Sequence, residues 1–249
     1  MKVKILLLIA TTMLIACNKS GSENTLSETP KPQLTVLVYD ISKSTDTYTM
    51  LTNAHIEKTY NGIGQNGGGK FYGLHIQTNS SKQDPVTADV SALQQIAIKG
   101  NAYQQANRER KNKQLAAAFE AGKDTFITTV ADKLMLPKNH NFSDIKNALE
   151  MVRKIMENPV YGNYAKSLII ISDMENDFPP KHGIDKMQPV QLDSVVKVFI
   201  VRPSDKANIS EMIPGVSYTV YVSIDDALNS LFNQTKFQSH EEHFCHATL

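Results

Sequence analysis

The sequence predicts an α/β fold, with a mostly parallel central sheet flanked by helices on both faces. Three observations carry that expectation. The apolar runs Leu34 to Tyr39, Ala165 to Asp173 and Val195 to Val201 have the length of strands. They lack the polar alternation of a half-solvated sheet, so they read as strands buried on both faces. Segments with helical spacing alternate with them and no internal repeat is present, which is the pattern of a layered α/β domain. With 41% hydrophobic residues in 249, there is enough apolar material for one compact core.

About the first 32 residues do not belong to that domain. Lys2 and Lys4 precede an apolar run from Ile5 to Ile15, broken only by Thr11 and Thr12. That is the length of a signal-peptide core and too short to span a bilayer. The run closes with Leu14-Ile15-Ala16-Cys17, which resembles a bacterial lipobox. The resemblance implies a leader over residues 1–16, cleavage before Cys17, a lipid on that thiol, and a protein tethered to a membrane of the bacterial cell envelope. It leaves inner or outer membrane open. Residues 17–32 are polar and rich in Ser, Thr, Gly and Pro, as expected of a flexible tether. The domain is then placed at 33–235 and a polar tail at 236–249.

Charge and cysteine content narrow the function classes. Loss of the leader would change the formal charge from +1 to −1, which gives no reason to expect nucleic acid as a partner or binding to an anionic membrane by charge alone. Of the two cysteines, Cys17 would be lipidated and Cys245 has no partner within the chain, so disulfides do not hold the fold.

Taken in order, Leu34 to Tyr39 forms the first strand, and its polar end is Asp40-Ile41-Ser42-Lys43-Ser44. A helix with Tyr48, Leu51 and His55 on one face is expected from Asp46 to Lys58. Gly62 to Lys70 superficially matches a phosphate-binding loop. Phe71 stands where Ser or Thr would hold Mg²⁺, however, and a strand follows instead of a helix, so the stretch reads as a mobile glycine loop. Phe71 to Gln77 is the second strand, and Ile96 to Ile98 is expected to form a short edge strand.

From Tyr103 to Met135 the pattern is helical, with Leu115, Phe119, Phe126, Val130 and Leu134 on one stripe. The basic run Arg108, Arg110, Lys111 and Lys113 reads as a solvated face, since Glu109 interrupts it and no aromatics interleave. Leu136 to Phe142 is a loop. Ser143-Asp144-Ile145 then opens a helix whose stripe is Ile145, Leu149, Val152 and Met156. After Ala165 to Asp173 and Val195 to Val201 come a polar excursion from Arg202 to Pro214, a last strand from Ser217 to Val222 and a last helix from Ile224 to Phe232. Three His and Cys245 lie in the tail His240 to His246, without the spacing of a zinc-protease helix.

Chemistry collects at strand ends. Asp40, Ser42 and Ser44 follow the first strand, Ser143 opens a helix, and Asp173 ends the most apolar strand. These are oxygen donors only, the kind a hard cation such as Mg²⁺ takes. The Asp-x-Ser-x-Ser turn from Asp40 to Ser44, the Ser143-Asp144-Ile145 start with Ala148 and Leu149, and Asp173 resemble, in order, the three loops of the metal-ion-dependent adhesion site of von Willebrand factor type A domains. Ser143 departs from the family's usual Thr, and can equally act as a helix N-cap.

The resemblance implies a vWA fold, Mg²⁺ or Mn²⁺ held at Asp40, Ser42, Ser44, Ser143 and Asp173, and a protein partner that presents an acidic residue. In that family the hydroxyls bind directly and the aspartates act mainly through water. The function expected is binding or adhesion, not catalysis. Two alternatives stand beside it: a metal-dependent phosphoester hydrolase with Asp40 as nucleophile, and a scaffold lipoprotein whose metal site is degenerate. The hydrolase alternative meets Ser42 where a haloacid-dehalogenase-type phosphatase has a second Asp.

Overall fold

The structure, a computed structural model, describes residues 30–45, 50–93, 100–175 and 188–237. Its strands are β1 (Gln33–Asp40), β2 (Gly69–Ile76), β3 (Val86–Val90), β4 (Ala165–Ile171), β5 (Lys197–Val201) and β6 (Tyr218–Tyr221). Its helices are α1 (Asn53–Gln65), α2 (Ala102–Leu134), α3 (Ile145–Met156), the single turn α4 (Ile209–Met212) and α5 (Ile224–Phe237). All six strands form one sheet in the order β3-β2-β1-β4-β5-β6. Every pairing is parallel except β2 with β3, which makes the sheet mostly parallel as the apolar runs predict.

Strand periodicity divides the core in two. Leu34, Val36 and Val38 of β1, Leu168 and Ile170 of β4, and Val198 and Ile200 of β5 pack on one face with Ile145, Leu149 and Val152 of α3. Their neighbours Leu37 and Tyr39, Ile169 and Ile171, and Phe199 and Val201 pack on the other face with α1, α2 and α5. Each central strand is thus apolar at successive positions because each position meets a different helix layer.

Helix α3 shows the expected stripe, with Ile145, Ala148, Leu149, Val152 and Met156 all buried. Helix α2 is different. Its buried residues are Phe119, Phe126, Val130 and Leu134, so the half preceding Phe119 buries no side chain, and Leu115 is only half-buried. Arg110, Lys111 and Lys113 lie exposed on that half.

Two expectations are corrected here. Helix α1 starts at Asn53 rather than Asp46. Thr52 caps it, and His55 completes the cap, its Nδ1 accepting from the Thr52 backbone N–H at 3.1 Å. His55 is therefore a capping residue that also faces Asp225 at 3.6 Å. The helix then runs through Gly62, Ile63 and Gly64, which were expected in a mobile loop. These glycines serve close packing: a Cβ on Gly64 would fall 2.1 Å from the Phe119 ring, and one on Gly62 would fall 2.3 Å from Phe232. The turn proper is shorter, and Gly68 takes a φ of 71° there.

The sheet edge beside β2 is Val86–Val90. Ile96 to Ile98 lie outside the described residues, as do Asp46, the leader with Cys17, and the His-containing tail with Cys245.

His75 on β2 is nearly enclosed, and its Nε2 lies 3.0 Å from the Leu134 carbonyl, which requires a proton on that nitrogen. Burial pushes its pKa below the ordinary 6.5; the Leu134 carbonyl opposes this, and His140 adds to it. The folded state therefore holds His75 neutral, while the unfolded chain takes up a proton as pH falls through about 6.5. Stability contributed at neutral pH is lost over that fall, and the loss levels off once folded His75 also protonates. In urea unfolding between pH 7.5 and 5.5, His75→Gln should show a shallower decline in midpoint than the unsubstituted protein. Equal slopes would assign the decline to other groups.

Candidate functional site

Starting from β1, the chain builds outward through β2 and β3, then returns to add β4 on the other side of β1. The carboxyl ends of β1 and β4 therefore flank the point where strand order reverses, the usual place for a crevice in an open α/β sheet. Asp40 is the last residue of β1, and Ser172 and Asp173 follow β4 directly.

Asp40 is fully buried. Its Oδ1 accepts from the Ser42 backbone N–H at 2.8 Å, and its Oδ2 accepts from the Ser172 hydroxyl at 2.7 Å. Burial raises its pKa; hydrogen bonds from Ser42 and Ser172 oppose that rise, and the nearby charge of Asp173 adds to it. Ser42 Oγ and Ser44 Oγ lie 3.0 Å apart. Thr45 donates to the Ser42 carbonyl at 2.9 Å and closes the turn. Each carboxylate oxygen thus accepts one hydrogen bond, and the side chain has no exposed surface.

The second loop is docked by backbone bonds. Lys43 N–H donates to the His140 carbonyl at 2.8 Å, His140 N–H to Ile41 at 3.3 Å, and Asp144 N–H to Gln77 at 3.0 Å. Asp144 caps α3, its carboxylate accepting from the Asn147 N–H at 3.3 Å, the Asn147 amide at 2.8 Å and the Ser80 N–H at 3.2 Å. The N-cap role weighed for Ser143 thus falls to its neighbour. Ser143 is 1% exposed, and its Oγ has no hydrogen-bond partner. Buried hydroxyls are rarely left so, because desolvation without a partner costs about 1–3 kcal/mol.

The third loop is fixed by Ser172, whose Oγ accepts from the Met174 N–H at 2.9 Å, while Met174 itself is buried at a φ of 58°. Asp173 is half-buried; its Oδ1 accepts from Glu175 N–H at 3.0 Å and its carbonyl from Ser204 N–H at 2.7 Å. Asp177 lies outside the described residues. Ser44, Thr45, Asp173 and Glu175 open onto a cavity of about 490 Å³, whose other wall is Arg202, Ser204, Val220, Tyr221 and Val222.

The five residues singled out from sequence therefore stand on three loops at one end of the sheet. Asp40, Ser42 and Ser44 form one hydrogen-bonded turn, Asp173 joins it electrostatically and lines the same cavity as Ser44, and Ser143 carries a free hydroxyl on the adjoining loop. No group of three or more His, Cys, Asp or Glu side chains sits together among the described residues. The candidate set itself holds two carboxylates, and its remaining oxygens are hydroxyls. Sequence reasoning missed Ser172. The signal for Ser172 is register: Tyr39 pairs with Ile171, so the next residue of each strand, Asp40 and Ser172, face one another.

The fold defines an α/β protein with a doubly wound sheet. No family model matches the chain, and no curated protein does. Similar solved structures include von Willebrand factor type A domains. The SpRpn10 VWA domain is 10% identical at a TM-score of 0.42, covering 81% of this chain and 94% of its own. A von Willebrand factor type A protein from Catenulispora acidiphila is also 10% identical at 0.42, covering 82% and 42%. Proximal thread matrix protein 1 from the mussel byssus is 16% identical at 0.40, covering 82% and 47%. This chain thus spans less than half the length of the last two, and the fold assignment rests on its own sheet.

Ser143→Ala should leave the protein, in chelator, as stable as before or more stable by about 1 kcal/mol, because it removes a buried donor that has nothing to bond. Urea unfolding measures this. A loss above about 1 kcal/mol would mean that the hydroxyl is paired.

Proposed function

We propose that this chain is an envelope lipoprotein whose domain binds Mg²⁺ or Mn²⁺ and uses it to hold an acidic side chain of a protein partner. The observation that carries this reading is Ser143: a fully buried hydroxyl, released from capping by Asp144 and left without a partner, on the loop docked against the Asp40 turn. A hard cation accounts for such an oxygen, and the neighbouring donors are of the same hard type. Ser42, Ser44 and Ser143 would supply hydroxyl oxygens, and Asp40 and Asp173 would act chiefly through water, since both oxygens of Asp40 already accept hydrogen bonds.

A cation held by neutral hydroxyls keeps its charge undiminished and offers open positions to a carboxylate. The same orphan hydroxyl weighs against a degenerate site, and Ser143 needs no methyl to present its oxygen. Saturating Mn²⁺ should raise the melting temperature, by an amount equivalent to about 2.7 kcal/mol at a hundred times the dissociation constant. Ser143→Thr should keep that shift, and Ser42→Ala with Ser44→Ala should remove it. Calorimetry showing neither heat nor stabilisation with Mn²⁺ would reject the cation.

Membrane attachment rests on the leader over residues 1–16 and on Cys17 after it, all outside the described residues. No helix of the described residues is long and apolar enough to cross a membrane. Anchoring would be by the acyl chains on Cys17, each buried CH₂ contributing about 0.8 kcal/mol. Cys17→Ser expressed in a bacterium that processes lipoproteins should move the protein from the membrane to the soluble fraction. Full retention in membranes would place the anchor elsewhere.

A further inference from the structure

Ser172 bonds directly to Asp40 of the proposed cation site, and the sequence motif leaves it out. It lies one position beyond the last paired residues of β1 and β4, Tyr39 and Ile171, and is fully buried. Its hydroxyl has two partners with opposite roles. It donates to Asp40 Oδ2 at 2.7 Å, a short bond of the kind made to an ionised carboxylate, and it accepts from Met174 N–H at 2.9 Å. Because the accepted bond comes from a backbone N–H, the hydroxyl proton has one direction left, towards Asp40. The other oxygen of Asp40 is held by Ser42 N–H at 2.8 Å, so the carboxylate is fixed at both ends.

We infer that Ser172 is a positioning residue for the cation site, orienting Asp40 from β4 and fastening the first loop to the third at the turn that carries Asp173. The inference rests on the cation-binding reading above. Ser172 touches neither cation nor partner; it acts through Asp40 and through the Met174 turn, whose left-handed backbone places Asp173 and Glu175 at the cavity. Partners of this kind, one shell removed from a metal, typically alter affinity by about 10–100-fold when lost.

A structural hydroxyl on the same two strands provides the control. Ser167 Oγ donates to Thr35 Oγ1 at 3.3 Å, also buried, near the opposite ends of β4 and β1. The test is Mn²⁺ titration by calorimetry on the full chain, with melting in chelator beside it, for the unsubstituted protein, Ser172→Ala, Ser172→Thr, Ser172→Cys and Ser167→Ala. Ser172→Ala is expected to weaken Mn²⁺ at least tenfold and Ser172→Thr to restore it, since the hydroxyl returns. Ser172→Cys, which fills the space with a weak donor, is expected to weaken binding as well, and it carries the test if Ser172→Ala does not fold. Ser167→Ala is expected to leave Mn²⁺ affinity unchanged, whatever it does to melting. Affinity within twofold of the unsubstituted protein in Ser172→Ala or Ser172→Cys overturns the assignment. So does an equal loss in Ser167→Ala, which would make the effect one of general stability. An unsubstituted protein that takes up no Mn²⁺ is a separate result: it overturns the cation reading itself.

Discussion

A carboxylate at the end of a strand buried on both faces is cut off from bulk solvent, and everything around Asp40 follows from that. An ionised acid in such a place is tolerated only if donors are supplied on the spot, since charge without partners in a protein interior costs several kcal/mol. Here the donors come from two directions: the backbone of its own turn at Ser42, and the hydroxyl of Ser172 from the neighbouring strand. The second donor is possible because β1 and β4 are paired, and they are paired at the place where the chain reverses its order of strands. Topology and side-chain chemistry are thus the same fact seen at two scales. Desolvation still wins on balance, as the raised pKa of Asp40 shows.

Ser143 and Asp144 show how two adjacent polar residues divide the work at a helix start. Asp144 answers the free N–H groups of α3 and ties the loop to Ser80 beyond β2, which leaves Ser143 buried with its hydroxyl uncommitted. Had the serine been the cap, the loop would be a closed structural unit with nothing left over. The open cavity lined by Asp173 and the β6 residues Val220 and Tyr221 is also lined by Ser44 and Thr45 of the Asp40 turn, and no residue of the Ser143 loop lines it.

The sheet was readable because burial on both faces leaves an unmistakable signature: Ile169, Ile170 and Ile171 are consecutive and apolar, which an edge or half-solvated strand would not be. The five oxygen-bearing residues were readable because they sit at strand ends and a helix start. What could not be read depended on contacts across the sequence. Gly62 and Gly64 look like a loop in composition, yet they lie in a helix because Phe232 and Phe119 need the space a Cβ would take. His55 has helical spacing with Leu51, but the capping bond to Thr52 lies along the chain, not across it, and Leu51 precedes the helix. Ser172 carries no motif of its own; only the register of β1 against β4 turns it towards Asp40.

The long helix α2 has one further property that follows from where its side chains are buried. Residues from Phe119 onward are clasped by α1 and the sheet, with Tyr60 donating to the Phe119 carbonyl at 2.5 Å, whereas the half before Phe119 buries no side chain. A single continuous helix therefore contains two thermodynamic domains. Its second half opens only when the core does, while its first half, which buries no side chain, depends more on local helix–coil balance and the Asn101 cap and opens at lower cost.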